Sequence, residues 1–291
     1  MIPVLSERAA VDALRAALRD GLDPEAGPPR SVVPVSHGQL LLMPAEWGRY
    51  AGVKVAGVAP GNPALGRPRI QATYLLLDAR TLTPLATLDG TALTLVRTAA
   101  VSALAVDVLA SAAASRLVVF GSGPQARGHI AAIRAIRPVD DVVVIGRSAD
   151  RTRALASDVD GRMGSVADVG GADIVVCATT SRTPLFDGAL LSAEATVVAV
   201  GSHEPDAREV DDVTVAASTV VVEARAAALR EAGEVVAAVA SGVLDPATLV
   251  GLADVVRGTA AVEPGRPKLF KSVGMAWEDL VIAASSWETR A

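Results

Sequence analysis

The segment Gly121-Ser122-Gly123-Pro124-Gln125-Ala126 has the residue types and spacing to hold a diphosphate. Four apolar residues, Leu117 to Phe120, precede it and read as a strand, and a helix opens directly behind it. Gly121 permits the tight turn and Gly123 lets backbone approach a pyrophosphate. Ala126 keeps helix and sheet close, with the helix N-terminus facing the anion. The plain alternative is an ordinary strand-to-helix turn. The β-α-β text that follows favours a dinucleotide, so NAD(P) binding and hydride chemistry are expected. The second strand of that text ends Val144-Ile145-Gly146-Arg147-Ser148, without the acid that usually holds a ribose diol. Arg147 and Ser148 can instead embrace a 2′-phosphate, which favours NADPH over NADH; otherwise Arg147 is a solvated loop arginine.

Three basic residues upstream can read a carboxylate. Arg30 and Arg97 stand in otherwise apolar text, where an unpaired charge is costly, and a guanidinium can grip a carboxylate with two hydrogen bonds. The alternatives are surface arginines beside a proline turn and a helix start. Lys54, in Val53-Lys54-Val55, is as readily an ordinary edge lysine as a ligand. Cys177 is the only cysteine and follows Ile174-Val175-Val176, so a buried strand residue is expected rather than a nucleophile. No disulfide, cysteine-based zinc site or other metal site is expected.

The elements that must position these residues fall into two grammars. Ser6 to Leu18 has helical spacing, with Ser6 as N-cap, and Gly27-Pro28-Pro29 ends it. Short β runs follow at Ser31–Val35, Gln39–Met43, Val53–Val58, Gln71–Asp78 and Leu85–Leu88, separated by Gly, Pro and Asn clusters. They predict a mostly antiparallel sheet, of a kind that often pairs with a copy of itself. Thr91–Ala114 reads as a long apolar helix. After it, strands at Leu117–Phe120, Val142–Ile145, Ile174–Ala178, Thr196–Val200 and Thr219–Val222 alternate with helices at Pro124–Ile136, Ala149–Ser157, Ala224–Ala232 and Glu234–Ala240. Leu249 to Ala253 starts another short helical stretch, and Phe270 to Trp287 reads as a closing helix that can cross back to the first domain. The fold class is α/β, a Rossmann-type doubly wound parallel sheet preceded by an α+β domain.

The 291 residues, 51% hydrophobic, are enough to bury a sizeable core. A net charge of −5 and a pI near 5.3 argue against nucleic acid or an anionic membrane as partner. The apolar stretch from Ala99 to Ala114 contains Asp107 and reads as a core helix rather than a membrane span. Met1-Ile2-Pro3-Val4 has no basic stretch leading into an apolar one, so no signal peptide is expected and a cytoplasmic setting is.

Several segments together resemble the ornithine cyclodeaminase/mu-crystallin family over nearly the whole chain. They are Pro29 to Val35, Met43-Pro44-Ala45, Lys54, Arg97-Thr98-Ala99-Ala100, Gly121 to Ala126, Val200-Gly201-Ser202 and Phe270 to Asp279. The resemblance implies a homodimer acting in amino-acid metabolism. A substrate-binding and dimerisation domain would comprise residues 1–113 with the C-terminal helix 274–291, and an NAD(P)-binding domain residues 114–273. It further implies that Arg30, Lys54 and Arg97 hold the carboxylate of a small imino or amino acid, with Lys54 also placed to relay a proton. The cofactor positions it implies are Arg97, Thr98, Gly121, Ser122, Gly123, Pro124, Gln125, Arg147, Ser148, Thr179, Val200 and Ser272. Thr179 and Val200 end strands, where open α/β sheets bind ligands.

One departure separates the family's activities. Where the cyclodeaminases carry a catalytic aspartate, in the turn after Thr196–Val200, this chain has Gly201-Ser202-His203. Neutral imidazole is a poor substitute for a carboxylate, which argues against cyclodeamination. Ser202 and Pro205 to Glu209 resemble mu-crystallin and the ketimine reductases. His203 is then either a general acid to an imine nitrogen or a loop histidine lining the entrance. The expected function is NAD(P)H-dependent reduction of small cyclic imino acids, of the Δ1-pyrroline-2-carboxylate or Δ1-piperideine-2-carboxylate type. The alternatives are ornithine cyclodeaminase, an alanine-type dehydrogenase, and an NADPH-dependent binding protein without turnover. Glu204 and Asp206 read as solvated loop acids, and Glu278 and Asp279 as structural pairing partners.

Overall fold

Ala10, Val11, Leu14, Ala17 and Leu18 recur at helical spacing, and helix α1 (Glu7–Arg19) buries all of them. Its N-cap is Ser6, although the serine side chain makes no capping bond. The computed structural model describes residues 4–290. Met1-Ile2-Pro3, on which the expectation about a signal peptide rested, lie outside the described residues.

Strands β1 (Ser31–Val35), β2 (Gly38–Trp47), β3 (Tyr50–Val58), β4 (Ile70–Asp78) and β5 (Pro84–Asp89) form an antiparallel meander in that order. β1 has its expected bounds, and β2 and β3 outrun theirs because the hairpin keeps pairing up to its turn: Trp47 stands opposite Tyr50, with Gly48 at φ +59 between them. Helix α2 (Gly90–Leu109) follows, shorter than the expected run to Ala114. It is apolar enough to cross a membrane by composition, but 67% of its most apolar window is buried inside the protein.

Then come β6 (Arg116–Phe120), α3 (Pro124–Ile136), β7 (Asp141–Ile145), α4 (Ala149–Asp158), β8 (Arg162–Met163), β9 (Ile174–Cys177) and β10 (Thr196–Ala199). They are followed by α5 (Asp212–Ala217), β11 (Thr219–Val222), α6 (Arg225–Glu231), α7 (Gly233–Ala240), β12 (Val250–Gly251), α8 (Leu252–Arg257), β13 (Lys268–Lys271) and α9 (Ala276–Glu288). The second sheet is parallel in every described pairing, in the order β12-β11-β13-β10-β9-β6-β7-β8. Its central strands are buried on both faces, which is why they read as unbroken Val, Ile and Ala runs.

Two expectations are corrected here. Phe270 to Trp287 is not one helix: Phe270 belongs to β13, which inserts between β10 and β11, and α9 begins only at Ala276. A four-residue strand buried on both faces has no period of its own, so its apolar residues merged with the helix behind it. Leu249 to Ala253 likewise opens as the two-residue strand β12 before turning helical.

The chain divides into two compact units. The first runs up to Arg97 and resumes at Met275, and the second is Thr98–Gly274. The division falls inside α2, upstream of the expected 113/114 boundary, because the C-terminal half of α2 packs with the second unit. In the first unit, α9 packs against α1 and on β2, β3 and β4. Met43, Lys54, Tyr74 and Leu88 are opposite one another on successive strands of its sheet, and all are buried.

Candidate active site

Along β3, buried positions alternate with more exposed ones, and Lys54 occupies a buried position between Gly52 and Ala56. The strand is central, so the edge-lysine reading does not hold. An ammonium in such a place needs a partner. Lys54 Nζ donates to Asp279 Oδ2 at 2.7 Å, with the two side chains 3% and 0% exposed, and reaches Thr94 Oγ1 at 3.3 Å. Arg97, on α2, donates from a terminal nitrogen to Glu278 Oε2 at 2.8 Å, and its Nε lies 3.6 Å from Asp279 Oδ1. Two cations and two carboxylates therefore form one buried cluster, drawn from β3, α2 and α9. Burial pushes the Lys54 ammonium down to about 8; Asp279 opposes the shift and Arg97 adds to it. Among the described residues, the buried Tyr74 hydroxyl and Asp279 Oδ1 have no hydrogen-bond partner, which leaves hydrogen-bonding capacity beside the cations. Burial also raises the Tyr74 phenol well above its ordinary range.

Arg30 is half-buried and directly precedes β1. Ser31 pairs with Leu42, and Leu42 with Val55, so Arg30 stands one residue beyond that level, where Met43 meets Lys54. Two inter-strand steps separate Arg30 from Lys54, about 10 Å of backbone.

In the second unit the expected cofactor residues collect along one edge of the parallel sheet. Gly121, Ser122 and Gly123 follow β6, Arg147 and Ser148 follow β7, Thr179 follows β9, Val200 follows β10 and Ser272 follows β13. Those five strands are neighbours, in the order β13-β10-β9-β6-β7. The chain leaves β6 for β7 on one side and later starts β9 on the other, which makes the β6/β9 junction the switch point where such sheets bind ligands. Gly121 has φ +120, and a Cβ there would stand 2.5 Å from the carbonyl oxygen of Ala178. Gly123 faces open space and is the N-cap of α3, with no side chain capping the helix. The first-turn N–H groups of α3 are thus available to a diphosphate, and the open space at Gly123 lets one approach, so the residues present fit a diphosphate-bearing group.

Arg147 is exposed. Ser148 caps α4 and its carbonyl accepts from Thr152 N and Oγ1. Thr98 is buried at the division between the units, and its carbonyl accepts from Ser102. Ser272 is 1% exposed and spends its hydroxyl proton on Glu223, which leaves its lone pairs and carbonyl for other contacts. His203 is half-buried in the turn after β10. The flanking Glu204 and Asp206 both pair with Arg182 of the turn after β9, so these loop acids tie two turns together.

Sequence reasoning assigned Glu278 and Asp279 a pairing role, and they do pair, but with the two cations singled out for substrate. It missed the buried acids Glu209, Glu223 and Glu234 and the buried Lys271. Their signal was present: Lys271 ends β13 directly behind Leu269-Phe270, and Glu223 follows Val220-Val221-Val222, places where a charge has to be matched by another buried group.

A parallel sheet with a glycine loop at its switch point, and an antiparallel unit with a buried cation pair, define a two-unit dinucleotide-binding enzyme fold. The chain belongs to the ornithine cyclodeaminase/mu-crystallin family, whose model matches residues 4–289. It is 38% identical over 260 residues, 87% of this chain and 81% of the relative, to the Δ1-pyrroline-2-carboxylate/Δ1-piperideine-2-carboxylate reductase of Azospirillum brasilense. Among solved structures it resembles the Δ1-pyrroline-2-carboxylate reductase of Thermococcus litoralis in complex with NADH and L-proline. That match has TM-score 0.92 and 29% identity, covering 98% of this chain and 93% of the other. An archaeal alanine dehydrogenase dimer with bound NAD matches with TM-score 0.92 and 26% identity, covering 98% and 92%.

Proposed function

We propose that the protein is an NAD(P)H-dependent oxidoreductase that reduces a small cyclic imino acid, Δ1-pyrroline-2-carboxylate or its six-membered homologue, to the L-amino acid. The observation that carries this reading is the buried Lys54–Asp279–Arg97–Glu278 cluster in a chain that resembles reductases of such substrates. When bound, the nicotinamide group supplies the hydride that reduces the C=N carbon.

Arg97 and Arg30 bring fixed positive charge to the substrate carboxylate, and Arg97 is held for that task by Glu278 and Asp279. Lys54 can do two things at one atom. Its protonated Nζ attracts the carboxylate, and with its acidity shifted to about 8 it can give up a proton near neutrality and be recharged through Asp279. His203 is a second candidate donor on the turn after β10. The glycine loop and the N–H groups of the first turn of α3 would hold the diphosphate, with Gln125 in that turn and Thr179, Val200 and Ser272 lining the same edge. The absence of an acid after β7 and the exposed Arg147 support NADPH as the preferred donor.

A homodimer is supported by the dimeric relative and by the apolar exposed edge of the first sheet. A cytoplasmic setting agrees with the need for a supply of reduced nicotinamide. The test follows NADPH and NADH oxidation with Δ1-pyrroline-2-carboxylate, Δ1-piperideine-2-carboxylate, and pyruvate plus ammonia. Turnover of a cyclic imine with formation of proline or pipecolate is expected. No oxidation with any of them, or oxidation only with pyruvate and ammonia, would overturn the reading.

A further inference from the structure

Glu209 is a charged residue that no solvent reaches, 0% exposed, in the stretch between β10 and α5. Both its carboxylate oxygens accept from turns at the ligand-binding edge. Oε1 accepts from Thr179 N at 2.8 Å and from Thr179 Oγ1 at 2.7 Å, and Oε2 accepts from Gly201 N at 2.7 Å. One side chain thereby ties the turn after β9 to the turn after β10. The glycine at 201 is part of the fit, because a Cβ there would collide with the Thr179 carbonyl and with the Glu209 carboxylate.

The acid is itself held from below. Its own N–H donates to Glu234 Oε1 at 2.8 Å, Glu234 lies 3.0 Å from Lys271 Nζ, and Lys271 donates to the Ser202 carbonyl at 2.9 Å. The three charged side chains come from three segments, and these hydrogen bonds and this ion pair join them to one another and to the turns at this edge. Burial raises the Glu209 carboxyl, opposed by Lys271 and by the donors from Thr179 and Gly201. A carboxylate kept in so costly a place, with no surface of its own, has work to do at the backbone it holds.

We propose that Glu209 is a positioning residue of the cofactor site, fixing the spacing of the Thr179 and Gly201 turns so that they receive the nicotinamide end of the dinucleotide. This rests on the reading that NAD(P)H occupies the C-terminal edge of the parallel sheet. Glu209→Gln is nearly isosteric but replaces one acceptor oxygen with an NH2 group. Whichever way the amide turns, a donor then faces a donor, either Gly201 N–H or the Thr179 pair. The diphosphate end, built on the β6 turn and α3, is untouched.

The experiment measures KM for NADH and NADPH, kcat, and inhibition by ADP-ribose, which has the diphosphate but no nicotinamide, in wild type and E209Q. The expected result is a roughly tenfold or larger loss of kcat/KM for the cofactor, with the ADP-ribose inhibition constant unchanged. Should E209Q fail to fold, Glu209→Asp keeps the charge but is one methylene too short to reach both turns, and the same split is expected. Variants that match wild type in cofactor kcat/KM overturn the proposal, as does equal weakening of NADH and ADP-ribose, which marks general damage. A wild-type protein that binds neither cofactor overturns the underlying reading and this inference with it. Active wild type with unaffected variants overturns this inference alone.

Discussion

At the scale of single residues, Lys54 shows how a strand position becomes chemical. The alternation of β3 places it on the apolar face, and folding has to neutralise it there with Asp279, while Glu278 pairs with the neighbouring Arg97. Because burial holds its acidity at about 8, Lys54 is protonated below that pH and neutral above it. If its proton goes to the reduced imine, kcat/KM for reduction is flat below about pH 8 and then falls about tenfold per unit. The reverse oxidation, which needs the neutral amine, rises over the same range. Initial-rate profiles in both directions check this, and the residual activity of Lys54→Met should lack the limb. Arg147 allows a second test. If its guanidinium holds a 2′-phosphate, Arg147→Ala raises KM for NADPH by roughly tenfold or more and leaves KM for NADH nearly unchanged. Equal effects on both cofactors would make it an ordinary loop arginine.

At the scale of elements, the turn between β6 and α3 carries the firmest expectation and the most exacting geometry. Gly121 sits at φ +120 with the Ala178 carbonyl beneath it, so Gly121→Ala faces both a disfavoured backbone region and a collision. The turn is expected to open and NADH binding, followed by nucleotide fluorescence, to fall at least about tenfold. Cofactor affinity within about twofold of wild type would show that the turn adapts. The loop, α3 and most strands of the parallel sheet were legible because each is specified by neighbours within a few residues. The glycines set the turn, and an apolar run of four or five residues set each strand. β13 was not legible. Its Lys-Leu-Phe-Lys text is short, buried on both faces and followed by a helix, and its place between β10 and β11 comes from pairing with segments far away in the chain.

At the scale of the whole molecule, the chain starts one unit, builds the second between Arg97 and Met275, and returns to finish the first with α9. The outer strand of the first sheet is apolar and uncovered: all five residues of β1 are exposed, with Val32 at 50%, Val33 at 42% and Val35 at 47%. An apolar edge strand of this kind is an aggregation liability unless another chain covers it. A dimer is therefore expected by light scattering, and Val33→Asp should shift it toward monomer; a monomeric wild type would remove dimerisation from the proposal. The sequence by itself determined the elements whose instructions are local: the diphosphate loop, the period-two strands, the long apolar helix, and the presence of Arg30, Lys54 and Arg97 as cations in apolar text. Only the tertiary structure decided what those cations meet. Asp279 lies 225 residues from Lys54, and Glu278 lies 181 from Arg97. No local pattern encodes such a pairing, because it arises when α9 packs on β3 and each buried charge has to find its opposite.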